Sequence, residues 1–151
     1  MGIIKMTKLT RPIKSMKKTK TPKSEAKPHR FVQFISKDNL NLCRQGLSDE
    51  DMPEIIHFLR QYPDIKTLDL SLNNLGDIAI ASFAERNLTI TQANFSGNNI
   101  GDFGLAIFAY KNHATTHVNF SYNLISEQGI ANFIEINEIC SSTHFSRMQS
   151  H

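Results

Sequence analysis

The stretch LDLSLNNLGDIAIASFAERN, residues Leu68–Asn87, returns 25 residues later as ANFSGNNIGDFGLAIFAYKN, Ala93–Asn112, and again as VNFSYNLISEQGIANFIEIN, Val118–Asn137. Within each copy, apolar residues hold the first and third places (Leu68/Leu70, Ala93/Phe95, Val118/Phe120). That alternation predicts a short strand with one buried face. The sixth place is asparagine in all three (Asn73, Asn98, Asn123), followed two residues on by Leu75, Ile100 and Ile125. An acid comes next (Asp77, Asp102, Glu127), well placed for the positive end of a helix. Ile80/Ala81/Phe83, Leu105/Ala106/Phe108 and Ile130/Ala131/Phe133 then form an apolar face at helical spacing. Asn87, Asn112 and Asn137 fall at the expected helix ends, where asparagine tolerates a left-handed stop. Each unit therefore reads as strand, turn, helix and return.

A longer, less regular copy precedes these, with Leu40 and Leu42 at the strand places and Leu47 at the turn. Ser48 is its expected helix cap, and Pro53 is tolerable only near the first turn. Gln45 stands where the other copies have asparagine, as suits an atypical first unit. At the other end, adding 25 to VNFSYN lands on THFSRM, Thr143–Met148, which reads as a partial fifth strand without its helix.

LDLSLNNLGD and NFSGNNIGDFG resemble the leucine-rich repeat, in the ribonuclease-inhibitor-like subtype with one helix per unit. The resemblance spans residues 40–142 and implies an α/β solenoid of about four repeats plus the partial fifth strand. Short parallel strands would line its concave face and short helices its convex face. It also implies that Asn73, Asn98 and Asn123 are structural, sending their side chains to backbone groups of the turns in a ladder between coils. Units of 25 are short for this subtype, so helices of about ten residues are expected. The phenylalanines fill the layer between helix and strand, and the alanines beside them permit close helix packing. Ser71, Ser96 and Ser121 follow the strand core and are expected to face outward, with no role in the core.

The chain has 151 residues and a net charge of +3 that conceals a division. Residues 1–30 hold ten Lys/Arg against Glu25 alone, whereas residues 31–151 hold seven Lys/Arg against thirteen acids. The proline-interrupted, basic residues 1–30 are expected to be a disordered tail, and residues 31–151 the repeat domain. Ile3, Met6, Leu9, Ile13 and Met16 follow a basic amphipathic spacing, interrupted by Pro12. The tail reads first as a solvated arm, and otherwise as an attachment to anionic membrane or nucleic acid. MGIIKM lacks the Ser or Thr of a myristoylation signal, and no secretory signal peptide or apolar run of membrane-spanning length is present. The two cysteines, Cys43 and Cys140, form no disulfide framework, which favours a reducing, cytoplasmic compartment.

No phosphate loop, nucleophile motif or zinc-type cysteine spacing occurs. His113 and His117 have an i, i+4 spacing, but across a loop and a strand, where that spacing does not converge on a metal. His144 falls near His117 on the neighbouring strand, Asp69 and Asp77 read as structural, and Cys43 is a lone thiol. No catalytic, metal or cofactor site, and no small-molecule substrate, is expected.

The expected function is non-catalytic protein binding by the concave face. Its columns are Asn41/Asp69/Asn94/Asn119/His144, Cys43/Ser71/Ser96/Ser121/Ser146 and Arg44/Leu72/Gly97/Tyr122/Arg147. The binding candidates are Arg44, Asp69, Leu72, Asn94, Asn119, Tyr122 and Arg147, with Tyr122 and Arg44 as anchors. The repeat style is also similar to leucine-rich-repeat effectors that bacteria secrete into the host cytosol. Regulation of an enzyme such as a GTPase is a further expectation from the repeat subtype.

Overall fold

The computed structural model describes residues 26–147. The readings of residues 1–25 and of Met148 lie outside the described residues. A compact unit starts at Phe31. A 3-10 turn, Val32–Phe34, leads into β1 (Ile35–Ser36), which forms an antiparallel hairpin with β2 (Asn39–Asn41). Lys37 takes a left-handed φ of 56° in the tight turn between them. This hairpin was not foreseen. It closes the first coil, and Phe31 is buried edge-on against Phe58.

From β2 onward each coil repeats one path. The strands β3 (Thr67–Asp69), β4 (Gln92–Asn94), β5 (His117–Asn119) and β6 (Ser142–His144) extend the sheet in sequence order, every pair parallel. Leu40, Leu68, Ala93, Val118 and Thr143 stand in register, as the sequence period requires. The helices are α1 (Met52–Gln61), α2 (Asp77–Arg86), α3 (Asp102–Lys111) and α4 (Glu127–Ile136), each of ten residues. Neighbouring strands lie about 4.8 Å apart, whereas packed helices need about 8–10 Å. The stack must therefore bend with its strands inside the curve.

The core fills the space between the two layers. Leu70, Phe95 and Phe120 point in from the strand side, and Phe83, Phe108 and Phe133 from the helices, all essentially inaccessible. Their rings interleave edge-to-face, with Phe83 5.1 Å from Phe95 and Phe108 5.1 Å from Phe120. Such edge-to-face pairs place positive ring edges on negative faces. The alanine expectation is corrected by two residues. Ala81 and Ala106 are only half-buried and Ala131 is exposed, whereas Ala79, Gly104 and Gly129 are buried. A Cβ on Gly104 would fall 2.8 Å from Asp77 Cα, and one on Gly129 would collide with the Asp102 carboxylate. Close approach of successive helix starts is what demands the small residue.

Three side-chain ladders join the coils. In the first, Asn98 Nδ2 donates to Phe95 O at 2.9 Å in its own coil and to Leu70 O at 3.0 Å in the preceding one. Its Oδ1 accepts from Leu75 N at 3.0 Å. Asn73 and Asn123 repeat the pattern towards Leu42 O and Phe95 O respectively. Gln45 sits only at the receiving end, its backbone N–H donating to Asn73 Oδ1. These bonds satisfy peptide groups that the short strands leave unpaired.

The second ladder corrects the reading of Asn87, Asn112 and Asn137. They end the helices with extended backbone (φ −69°, −62° and −68°), not in the left-handed region. Their side chains staple the return loop instead. Asn87 Nδ2 donates to Ile90 O at 2.8 Å, and its Oδ1 accepts from Ile90 N at 2.9 Å. Asn112 binds Thr115, and Asn137 binds Cys140, in the same way. Asn87 Nδ2 also reaches Thr115 Oγ1 of the next coil at 3.0 Å.

In the third ladder an acid at the start of each of the first three helical segments accepts from the next coil, Asp49 from the 3-10 turn Asp49–Asp51 that leads into α1. Asp49 receives Gly76 N at 2.5 Å, Asp77 receives Gly101 N at 2.7 Å, and Asp102 receives Ser126 N at 2.7 Å. Ser126 Oγ also donates to Asp102, and these two bonds hold the Asp102 carboxyl below the usual carboxylate range. Asp77 and Asp102 thus have an inter-coil duty beyond favourable placement at a helix N-terminus.

Cys140 takes the return-loop place held by Ile90 and Thr115. Its Sγ donates to Thr115 O at 3.2 Å, and burial pushes the thiol up to about 11. The thiolate is the nucleophile, so the folded protein should resist iodoacetamide at Cys140 near pH 8 and label quickly once denatured. Peptide mass spectrometry across a pH series checks this. Fast native labelling at pH 8 contradicts the placement.

Candidate functional site

The strand face carries a shallow trough of about 400 Å³ that crosses the sheet from β2 to β6. Its walls are the side chains on either side of the buried strand residue. Asp69, Asn94, Asn119 and His144 follow that residue, and Thr67, Gln92, His117 and Ser142 precede it, with Asn39 at one end. The second of these columns was missed. Strand alternation contains the signal, since the residues before and after an inward side chain both point outward.

Asp69, Asn94 and Asn119 also have a local duty. Asp69 Oδ1 accepts from Ser71 N at 2.9 Å, Asn94 Oδ1 from Ser96 N at 3.1 Å, and Asn119 Oδ1 from Ser121 N at 2.9 Å. Asn41 makes the same bond to Cys43 N at 3.0 Å. A side-chain oxygen that captures the N–H two residues on is a turn-former, and here it ends β2, β3, β4 and β5. The serines that follow correct the sequence reading. Ser71 and Ser121 are buried, the Ser71 hydroxyl donates to Asp69 Oδ1 at 2.6 Å, and Ser121 Oγ accepts from Ser146 N at 3.0 Å. The serine recurs because a small hydroxyl fits where the coils close on one another.

Arg44, Leu72 and Tyr122 do not line the trough. They stand beyond the strands on the rim where the chain turns towards the helices, and each takes a left-handed φ of 56–58°. Gly97, at φ 67°, holds the same place in its coil, and a Cβ there would lie 2.6 Å from Leu72 Cδ2. A left-handed backbone costs a non-glycine residue about 1–2 kcal/mol. Leu72 and Tyr122 nonetheless stay 47% and 53% exposed, so burial of their side chains does not offset that cost. Arg147 is likewise exposed, with its guanidinium 3.6 Å from Glu127. Ile78, Phe103 and Leu124 are also exposed and belong to the helix-start side of the coils.

The trough presents hydrogen-bonding amides, hydroxyls and imidazoles with one carboxylate, Asp69. His117 Nδ1 lies 2.9 Å from Thr116 Oγ1, and His144 stands opposite Asn119, one strand over and two residues along from His117. Among the described residues no three His, Cys, Asp or Glu side chains converge as metal ligands. Among the described residues no helix is long and apolar enough to cross a membrane.

A family profile described as Leucine Rich repeat matches residues 63–84. Comparison with curated protein sequences finds no match. Among solved structures the chain is similar to Leiomodin-1 Actin-Binding Site 2 (ABS2), with a TM-score of 0.62 and 16% identity. That likeness covers 72% of this chain and 69% of the other, and at such identity it shows the fold. The architecture is a leucine-rich-repeat α/β solenoid with a six-stranded sheet.

Proposed function

We propose that this leucine-rich-repeat chain is a non-catalytic module that binds another protein on its strand face. The observation that carries the reading is the trough itself, a continuous row of amides, hydroxyls and imidazoles crossing five strands. The side-chain ladders fix the coils that present it, so little ordering entropy remains to oppose binding. Exposed Leu72 and Tyr122 on the adjoining rim supply the apolar contacts that a polar trough lacks. That a structural neighbour is titled as an actin-binding site supports a protein as the class of partner, without identifying it.

Asn94→Arg places a long cation in the middle of the trough, on an outward-facing position. It should weaken a captured partner at least about tenfold, equivalent to about 1.4 kcal/mol. Lys111→Glu, at the end of α3 on the opposite layer, should leave affinity unchanged. The reverse pattern, measured by titration calorimetry, sinks the proposal.

A further inference from the structure

The trough column that follows the buried strand residue asks for a side-chain oxygen, and it does not ask for charge. Asn41, Asn94 and Asn119 form the strand-ending turn with a neutral amide, whereas β3 forms the same turn with Asp69. Both bonds to this carboxylate, from Ser71 N and Ser71 Oγ, go to Oδ1, and among the described residues Oδ2 receives none. No lysine or arginine lines the trough, and Asp69 is its one carboxylate. Among the described residues Asp69 makes no ion pair. Its partners across the strands, Asn41 and Asn94, are neutral. Lys66, the nearest cation in sequence, donates its ammonium to Pro63 O at 2.8 Å. A half-buried carboxylate is thus held on the binding face, forming a turn that a neutral amide forms elsewhere and carrying a charge that no described lysine or arginine pairs.

We infer that Asp69 selects a lysine or arginine side chain on a short extended segment of the partner lying in the trough. The inference rests on the strand-face reading above and adds a specificity to it. Charge complementarity is its basis: a lone carboxylate flanked across the strands by the amides of Asn41 and Asn94 favours a cation and repels an acid. Gln92, Asn94 and Asn119 offer amides to the segment's polar backbone. Asp69 and His144 stand three strands apart, about 14 Å, which an extended chain covers in about four residues.

The test uses the full chain on an array of eight-residue peptides, identical except for Lys, Arg, Gln or Glu at one central position. The wild-type protein should retain the Lys and Arg peptides about three- to fivefold more than the Glu peptides, the scale of one partly exposed ion pair. Asp69→Asn should erase that preference with an unchanged melting temperature, because asparagine forms the same turn in three other coils. Asn94→Asp should enlarge it. Residues 1–30 are common to all variants, so only differences between variants count. Asn94→Arg identifies retention through the trough. If retention falls with Asn94→Arg yet shows no charge preference, or one that Asp69→Asn leaves intact, the role of Asp69 is overturned and the strand-face reading stands. If retention ignores Asn94→Arg, both fall. If none of the peptides is retained, the basic-segment inference is overturned.

Discussion

Replacing Phe120 with alanine should lower stability by about 3–5 kcal/mol, the cost of an emptied aromatic site in a packed core. The ring is 1% exposed and stands where both layers of the last full coil meet. It is stacked 5.7 Å from Phe95 and 6.1 Å from Phe145, and edge-on to Phe108 at 5.1 Å and Phe133 at 6.3 Å. Neighbours held by backbone ladders cannot collapse into the space, so the upper part of the range is expected. Total stabilities of single domains are about 5–15 kcal/mol, and the variant is therefore expected to be marginal at 37 °C. Tyr122→Ala, two residues on, removes an exposed ring and should change stability by less than about 0.5 kcal/mol. Urea titrations of both variants measure the difference, read from midpoints at unchanged slope. A Phe120→Ala loss under 1 kcal/mol contradicts the packing described.

The second large effect is expected at Asn98. Its side chain is buried and bonds four backbone groups, in its own coil and in the one before. Alanine leaves Leu75 N–H without its acceptor and takes a donor from Leu70 O and Phe95 O. Each buried group left unpaired costs about 1–3 kcal/mol. Asn99 is exposed, and its backbone N–H bond to Leu75 O survives truncation of the side chain. Asn99→Ala should therefore stay within about 0.5 kcal/mol of the parent. Equal midpoints for the two variants contradict the ladder.

The 25-residue period made the fold legible. A fixed spacing of inward side chains determines which residues share a layer, so the strands, the short helices and the last strand at Ser142–His144 followed from it, whereas the first asparagine ladder was implied by the family resemblance. What periodicity does not encode is the rotation of the backbone between layers. Asn98 and Asn112 are the same residue on the same period, yet one binds across the turn and the other closes the return loop. Asn87, Asn112 and Asn137 were read as left-handed stops because composition does not distinguish an extended residue with a stapling side chain from a left-handed one. Beyond Lys37 in the hairpin and two glycines, the left-handed residues among those described are Arg44, Leu72 and Tyr122, types for which that conformation is costly, so nothing in their identity signalled it. Ser71 and Ser121 looked outward by strand alternation, but the chain leaves the strand at that residue and carries the hydroxyl inward.

The candidate face was legible in part. Asp69, Asn94 and Asn119 were expected on it and do line the trough, whereas Arg44, Leu72 and Tyr122 lie on the rim. Thr67 and Gln92 went unnoticed, and His117 was weighed only as a metal ligand, because columns counted after the strand core leave out the residue before it. The N-terminal hairpin was invisible to the repeat, since β1 (Ile35–Ser36) precedes the first repeat strand and pairs antiparallel with it.

The central claim is that binding occurs on the strand face. Amide NMR of the full chain, titrated with a captured partner, tests it most directly, because side-chain amides report each layer separately. Gln92, Asn94 and Asn119 line the trough, whereas Gln128 and Asn132 lie exposed on α4, joined by a 2.9 Å hydrogen bond. The account predicts that the side-chain NH₂ signals of Gln92, Asn94 and Asn119 shift on binding while those of Gln128 and Asn132 stay in place. Shifts confined to Gln128 and Asn132 would contradict it.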